Sequence, residues 1–240
     1  MTDYKIGIVN SSSFGKVFPQ HLERLEKIGE VVHITVDSEI GGKELAEALA
    51  GINIVIASVT PFFTEEFFQY KDELLLIARH GIGFNNVDLA AAKAHDTVVT
   101  IIPALVERDA VAENNVTNLL ALMRKTVQAH NRVVADRWED RASFVGNTLY
   151  NKTVGVIGVG NTGSGVVETI RNGFRCEVLA YDPYKSAMHI ESYGAKKVEF
   201  DELLARADVI CLCASLNEGN YHMINAAAIA KINDRVYWSS

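Results

Sequence analysis

Short apolar runs rich in valine and isoleucine punctuate the first hundred residues: KIGIV from Lys5, VVHITV from Val31, INIVIAS from Ile52, LLLIAR from Leu74 and VVTII from Val98. Longer amphipathic stretches separate them. Apolarity that is continuous rather than alternating is what a parallel strand covered on both faces requires, so strand followed by helix, repeated, predicts a doubly wound α/β layer. From Asp109 to about Trp138 the pattern changes to one long helical stretch, with no glycine or proline to interrupt it. After the turn-like VGN at Val145, a second series opens with TVGVIGVG from Thr153. It continues through EVLAYD from Glu177 and KKVEF from Lys196 to DVICLCAS from Asp208. The chain therefore divides into an α/β domain over 1–104 and a second over 105–240 that includes the long helix. No fixed-period repeat and no low-complexity segment is present.

Composition narrows the class of function. With 48% hydrophobic and 22% charged residues, the chain is that of a globular protein. A net charge of -7 without a basic stripe excludes an electrostatic footprint for nucleic acid or for an anionic membrane, which leaves small molecules as partners. No run of about 18 apolar residues and no signal-like start occurs, which predicts a cytoplasmic protein. Three cysteines suit a reducing compartment. Cys211 and Cys213 form CxC within an apolar run, but no second Cys or His pair accompanies them, so no metal site is expected and core packing is.

The motif that carries chemistry is GVGNTG, Gly158 to Gly163, set between a strand-like run and a helical one. Gly158, Gly160 and Gly163 answer three needs: a tight turn, close approach of the backbone to a pyrophosphate, and close helix-to-strand packing. The exposed N–H groups and the positive end of the helix then face the phosphates. Asp182 closes the next strand, 19 residues beyond Gly163, against an expected spacing of about 20 for a carboxylate that accepts from ribose hydroxyls. A carboxylate there disfavours the extra phosphate of NADP, so the cofactor is read as NAD, with Lys185 the one nearby cation. The competing reading makes Asp182 a turn residue before Pro183.

In order along the chain, ARHGIGFNNVDL from Ala78, AVAENN from Ala110, TVGVIGVGNTGSGV from Thr153, YDPY from Tyr181 and ADVICLCASLNEGNYHMIN from Ala207 resemble the D-isomer-specific 2-hydroxyacid dehydrogenases. The resemblance implies a flavodoxin-like substrate domain joined to a Rossmann-type domain with a doubly wound parallel sheet. It also implies reduction of a 2-oxo acid to a D-2-hydroxy acid, NAD as cofactor, and a homodimer. It implies that the loop from Arg79 presents backbone N–H groups, chiefly of Ile82 and Gly83, to the substrate carboxylate. Asn161 and Thr162 fall at the pyrophosphate, Asp182 and Pro183 at the ribose turn, Ala214 and Ser215 near the adenosine, and Asn220 at a further cofactor position. Cys213 to Asn217 depart from the common His and Val-Pro-Leu-Thr, and PAL from Pro103 replaces Pro-Gly-Ala.

The family pattern then runs on into an Asn-Thr-x-Arg-Gly segment, an acidic residue and a catalytic His, whereas this chain reads Trp238, Ser239, Ser240. The resemblance thus implies a C-terminally truncated, catalytically impaired chain with an incomplete Rossmann sheet, marginal solubility and no assignable catalytic residue. The alternative is a non-catalytic NAD-binding or interaction protein of the same descent. His80 beside the substrate loop lacks an orienting carboxylate, and His222 reads as a helix-start residue. Tyr193 to Lys197 matches Tyr-x-x-x-Lys of the short-chain dehydrogenases, but lies too near the glycine motif for that catalytic helix.

Overall fold

The computed structural model of the chain describes residues 4–233 and 236–239. It has two compact units, Met1–Pro103 and Ala104–Ser240. The first alternates β1 (Tyr4–Val9), α1 (Pro19–Glu26), β2 (Gly29–Ile34), α2 (Gly42–Ala48), β3 (Ile54–Ala57), α3 (Glu65–Tyr70), β4 (Leu76–Arg79), α4 (Leu89–Ala94) and β5 (Val98–Thr100). Its strands pair in parallel in the order β2-β1-β3-β4-β5, the flavodoxin-like order. The two sheet faces explain why the strands read as unbroken apolar runs. In β1, Val9 joins a core of Leu45, Phe63, Phe67 and Ile77 on one face, while Ile6 and Ile8 pack with Ile56 on the other. Each such aliphatic or aromatic side chain contributes about 1.5–3 kcal/mol when fully buried. Thr64 and Asp88 start α3 and α4, their side chains accepting from the N–H groups of Phe67 and Ala91.

The second unit opens with α5 (Leu105–Met123) and α6 (Thr126–Val134), followed by a 3-10 segment, Trp138–Phe144. The single long helix expected over this stretch is thus two helices, which is a correction. Lys125 takes a left-handed conformation at φ 53°, and the chain returning at Gly146 occupies the end of α5, where the Asn147 N–H donates to the Met123 carbonyl at 3.0 Å. A side chain at Gly146 would lie 2.3 Å from that carbonyl oxygen. Long-range packing, absent from the local pattern, ends the helix.

Beyond it come β6 (Thr153–Ile157), α7 (Asn161–Phe174), β7 (Glu177–Tyr181), α8 (Ala187–Ser192), β8 (Lys196–Lys197), α9 (Phe200–Arg206), β9 (Val209–Leu212), α10 (Ala226–Ile229) and β10 (Tyr237–Ser239). The run read as KKVEF forms a strand only at its first two residues, because Phe200 already begins α9. All pairings are parallel, in the order β10-β9-β6-β7-β8. Counted within the unit, this is the 3-2-1-4-5 order of a dinucleotide-binding sheet, whose order reverses between β6 and β9. Val154 and Val156 face a core with Val166, Ile170 and Leu119 of α7 and α5, and Ile157 faces Leu203, Leu204 and Ile210 on the other side. Cys211 is buried in the first of these cores, as its apolar setting predicted.

Candidate functional site

The reversal between β6 and β9 opens a crevice at their carboxyl ends, and the glycine motif folds across it. Gly158 adopts φ 86°, which only glycine holds without strain, and its N–H donates to the Tyr181 carbonyl at 2.8 Å. A Cβ on Gly158 would stand 2.6 Å from the Ala214 backbone, and one on Gly163 would stand 1.9 Å from the Gly158 carbonyl oxygen. Two of the three glycines are therefore demanded by the protein's own packing. Gly160 is different: a Cβ there meets nothing within 4 Å. It precedes α7, where no side chain caps the helix, and the N–H groups of Asn161, Thr162 and Gly163 meet no acceptor among the described residues. Unsatisfied donors at the positive end of a helix beside open space form a cradle for a diphosphate, so the residues present fit that group.

Asp182 lies at the end of β7, 7% exposed. Its Oδ2 accepts from the Val159 N–H and its Oδ1 from the Tyr184 N–H, both at 2.9 Å. The turn reading of this residue thus describes part of what it does. It is a turn residue, and it also fastens the middle of the glycine loop. Each oxygen keeps a second lone pair for a ribose hydroxyl. Beside it lies a cavity of about 410 Å³, walled by Tyr181, Asp182, Pro183 and Tyr184 on one side and by Ala214, Ser215 and Asn220 on the other, with Phe200 and Met223 lining it too. Lys185 also lines it, but the Lys185 carbonyl accepts from Lys197 Nζ, which holds that turn against β8.

Other expected positions come together less directly. Asn220 reaches the cavity, yet its amide is spent on its own loop: Nδ2 donates to the Ser215 carbonyl at 2.7 Å and Oδ1 accepts from the Asn217 N–H at 2.8 Å. Thr162 lines a second, smaller cavity of about 270 Å³ with Val111, Asn115 and Cys213. His222 is no helix-start residue: it sits at φ 55° in a turn, and α10 starts only after Asn225 accepts from the Ala228 N–H. The sequence reading passed over Tyr181, Phe200, Met223 and Asn115. For Asn115 the available signal was a polar residue on the buried stripe of α5 formed by Ala112, Val116, Leu119 and Met123.

Cys213 is partly exposed at the crevice yet closely surrounded, and burial pushes its thiol up from about 9 to about 12; burial raises Cys211 as well. Both thiols therefore stay protonated in the folded chain after their unfolded counterparts ionise. This contribution to stability is complete below pH 9 and is lost as pH rises toward 12. The melting temperature of the wild type should therefore fall more steeply between pH 9 and 11 than that of Cys213→Val. Parallel curves would remove Cys213 from the account.

In the first unit, the loop after β4 is braced from within. The buried Arg79 guanidinium donates to the carbonyls of His80 and Ala57, at 2.7 and 3.4 Å. Asn86 Nδ2 donates to the carbonyls of Pro61 and Ser58, at 2.9 and 3.1 Å. The N–H groups of Ile82 and Gly83 between them meet no acceptor among the described residues, and a Cβ on Gly83 would meet nothing within 4 Å. Two hydrogen bonds of Arg79 go to the carbonyls of the loop and of β3, whereas the N–H groups of Ile82 and Gly83 stay available.

Comparison with known proteins agrees with this geometry. Residues 116–238 match the family described as D-isomer specific 2-hydroxyacid dehydrogenase, NAD binding domain. A 2-hydroxyacid dehydrogenase homolog of Schizosaccharomyces pombe is 37% identical over 228 residues, covering 93% of this chain and 68% of that protein. A 2-hydroxyacid dehydrogenase homolog of Haemophilus influenzae is 34% identical over 213 residues, 89% of this chain and 57% of that protein. The chain thus spans little more than half the length of the latter. Among solved structures, D-lactate dehydrogenase from Aquifex aeolicus, complexed with NAD and lactic acid, superposes with a TM-score of 0.81 at 27% identity, over 97% of this chain and 67% of that one. The cofactor of the matched domain is NAD. With the glycine turn, the acid at the end of β7 and the strand order in agreement, the chain belongs to the D-isomer specific 2-hydroxyacid dehydrogenase family.

Proposed function

We propose that the chain is an NAD-dependent oxidoreductase of the D-2-hydroxyacid type, acting between a small 2-oxo acid and its D-2-hydroxy acid in the cytoplasm. The observation that carries this reading is the juxtaposition of the Asp182 carboxylate, the uncapped start of α7 and the cavity between β7 and the segment after β9. Gly158, Gly160, Asn161, Thr162 and Gly163 hold the diphosphate, and Asp182 with Pro183 holds the adenosine ribose. Ala214, Ser215 and Asn220 form the facing wall. When bound, the dinucleotide supplies the hydride. The N–H groups of Ile82 and Gly83 receive the substrate carboxylate, while Arg79 shapes the loop that presents them. The first unit is the substrate domain and the second the NAD-binding domain.

Delivery of the proton needs an acid group tuned by a neighbour. Among the described residues no histidine is paired with a carboxylate. The 240 residues are therefore expected to bind cofactor and to turn over 2-oxo acids poorly, if at all. Titrating the purified chain with NADH and NADPH, then adding a panel of 2-oxo acids, tests both parts. NADH binding well above NADPH, with slow or no oxidation, is the expected result. Absence of NADH binding would remove the cofactor reading, and rapid turnover would remove the impairment.

The partner is a second copy of the chain. No residue of α6 or of the 3-10 segment after it is buried, and Val127, Val133, Val134, Trp138 and Val145 are all more than half exposed. A helix of nine residues is marginal in water unless an apolar face is covered. Trp138→Glu combined with Val134→Glu should convert a dimer to a monomer in sedimentation velocity, and a wild type already monomeric at micromolar concentration would contradict the assignment.

A further inference from the structure

The first turn of α7 has no side-chain cap at Gly160, and its leading N–H groups meet no acceptor among the described residues. Donors of this kind bind an anion well only when they are already held in place, because each freedom lost on binding subtracts from affinity. The hold comes from outside the glycine motif. Arg108, at the start of α5 and with its side chain 19% exposed, crosses to α7. Its Nε donates to the Ser164 hydroxyl at 3.3 Å, one terminal nitrogen to the Glu168 carboxylate, and the other to Asp109 on its own helix at 2.6 Å.

The stem of Arg108 follows the same path. A Cβ on Gly165 would stand 3.6 Å from Arg108 Cγ and 2.9 Å from the Ala112 Cβ, so the bare backbone at Gly165 is what lets α5 lie this close. Ser164 is only 3% exposed, and its hydroxyl donates in turn to the Asn161 carbonyl at 2.9 Å. The guanidinium, the Ser164 hydroxyl and the Asn161 carbonyl thus form one series of hydrogen bonds that ends on the first residue of the cradle. An ion pair between the two helices would need Glu168 alone. The Nε bond to Ser164 adds nothing to that pair, and the rigid fork of an arginine is what lets one side chain make both contacts.

We propose that Arg108 is a cofactor-positioning residue: acting through Ser164, it fixes the first turn of α7 so that the N–H groups of Asn161, Thr162 and Gly163 stand ready for the diphosphate. The inference rests on the NAD reading above and deepens it. Its consequence is that affinity for the phosphates depends on a side chain of α5.

The test compares three ligands on the full chain: NADH, ADP, and adenosine, which lacks the phosphates. Arg108→Met keeps a stem over Gly165 and removes the fork, whereas Ser164→Ala removes the relay alone. Loss of one hydrogen bond in the series predicts NADH and ADP affinities weakened about three- to tenfold in each variant, with adenosine affinity unchanged. Unchanged adenosine affinity also certifies the fold of the variant. The double variant should bind no more weakly than Arg108→Met, because the two side chains act in series. Should Arg108→Met fail to fold, Ser164→Ala is read in the same way. Equal losses for all three ligands, losses that add in the double variant, or undiminished NADH and ADP binding would overturn the role of Arg108 while leaving the NAD reading standing. A wild type that binds neither NADH nor ADP would overturn the NAD reading and this inference with it.

Discussion

Gly163→Ala should abolish NADH binding, weakening it by at least about a hundredfold, and should lower the melting temperature as well. The added methyl would lie 1.9 Å from the Gly158 carbonyl oxygen, a backbone atom that cannot swing aside. Either α7 moves off β6 or the turn at Gly158 opens, and both displace the N–H groups that form the diphosphate cradle. The informative control is Gly160→Ala. No protein atom lies within 4 Å of a methyl at that position, so stability should stay within about 0.5 kcal/mol of wild type, as for other substitutions that disturb no packing. NADH affinity should nevertheless fall, because that open space is the proposed position of the diphosphate. Thermal melts and NADH fluorescence titration on the two variants separate a glycine the fold requires from one the ligand requires. Full-strength NADH binding by Gly160→Ala would mean that the diphosphate lies elsewhere.

Asp182→Ala should have an effect of similar size through a different route. The carboxylate accepts from Val159 and Tyr184, and removing it leaves two donors of the loop without their partner. At about 1–3 kcal/mol for an unsatisfied buried group, the stability cost is about 1–3 kcal/mol from the Val159 N–H, with a smaller share from the part-buried Tyr184 N–H. The proposed acceptor for the ribose is lost at the same time, so NADH affinity should drop about a hundredfold. Discrimination against NADPH should shrink toward parity, because the negative charge that repels a further phosphate is gone. Asp182→Asn keeps one acceptor oxygen and should be milder in stability while still losing discrimination. Chemical denaturation and paired NADH and NADPH titrations measure the two effects. An unchanged NADH to NADPH ratio in both variants would confine Asp182 to holding the turn.

The expectations that held share one physical origin. Strands β1, β3, β6 and β9 were visible because a parallel strand with a core on each face must be apolar at nearly every position, and that demand is written locally. The glycine turn and Asp182 were visible for a related reason: turn geometry and phosphate approach restrict single residues at fixed spacing. Local restriction failed where a distant segment intervened. Nothing between Asp109 and Trp138 announces a break, and Lys125 is left-handed because the chain comes back at Gly146 to take the end of α5. His222 fell in a turn rather than at a helix start because α10 takes its cap from Asn225.

By itself, then, the sequence determined the two α/β layers, the order of their elements, the glycine turn and the acid at the end of β7, all of which follow from what one residue or one short period can tolerate. The tertiary structure alone decided that Asp182 also ties down Val159, that Asn220 spends its amide on its own loop, and that Asn115, Thr162 and Cys213 share one wall. Parallel sheets join neighbouring strands through helical crossovers, so residues that meet at the crevice come from segments far apart in the chain, and no local pattern records their meeting.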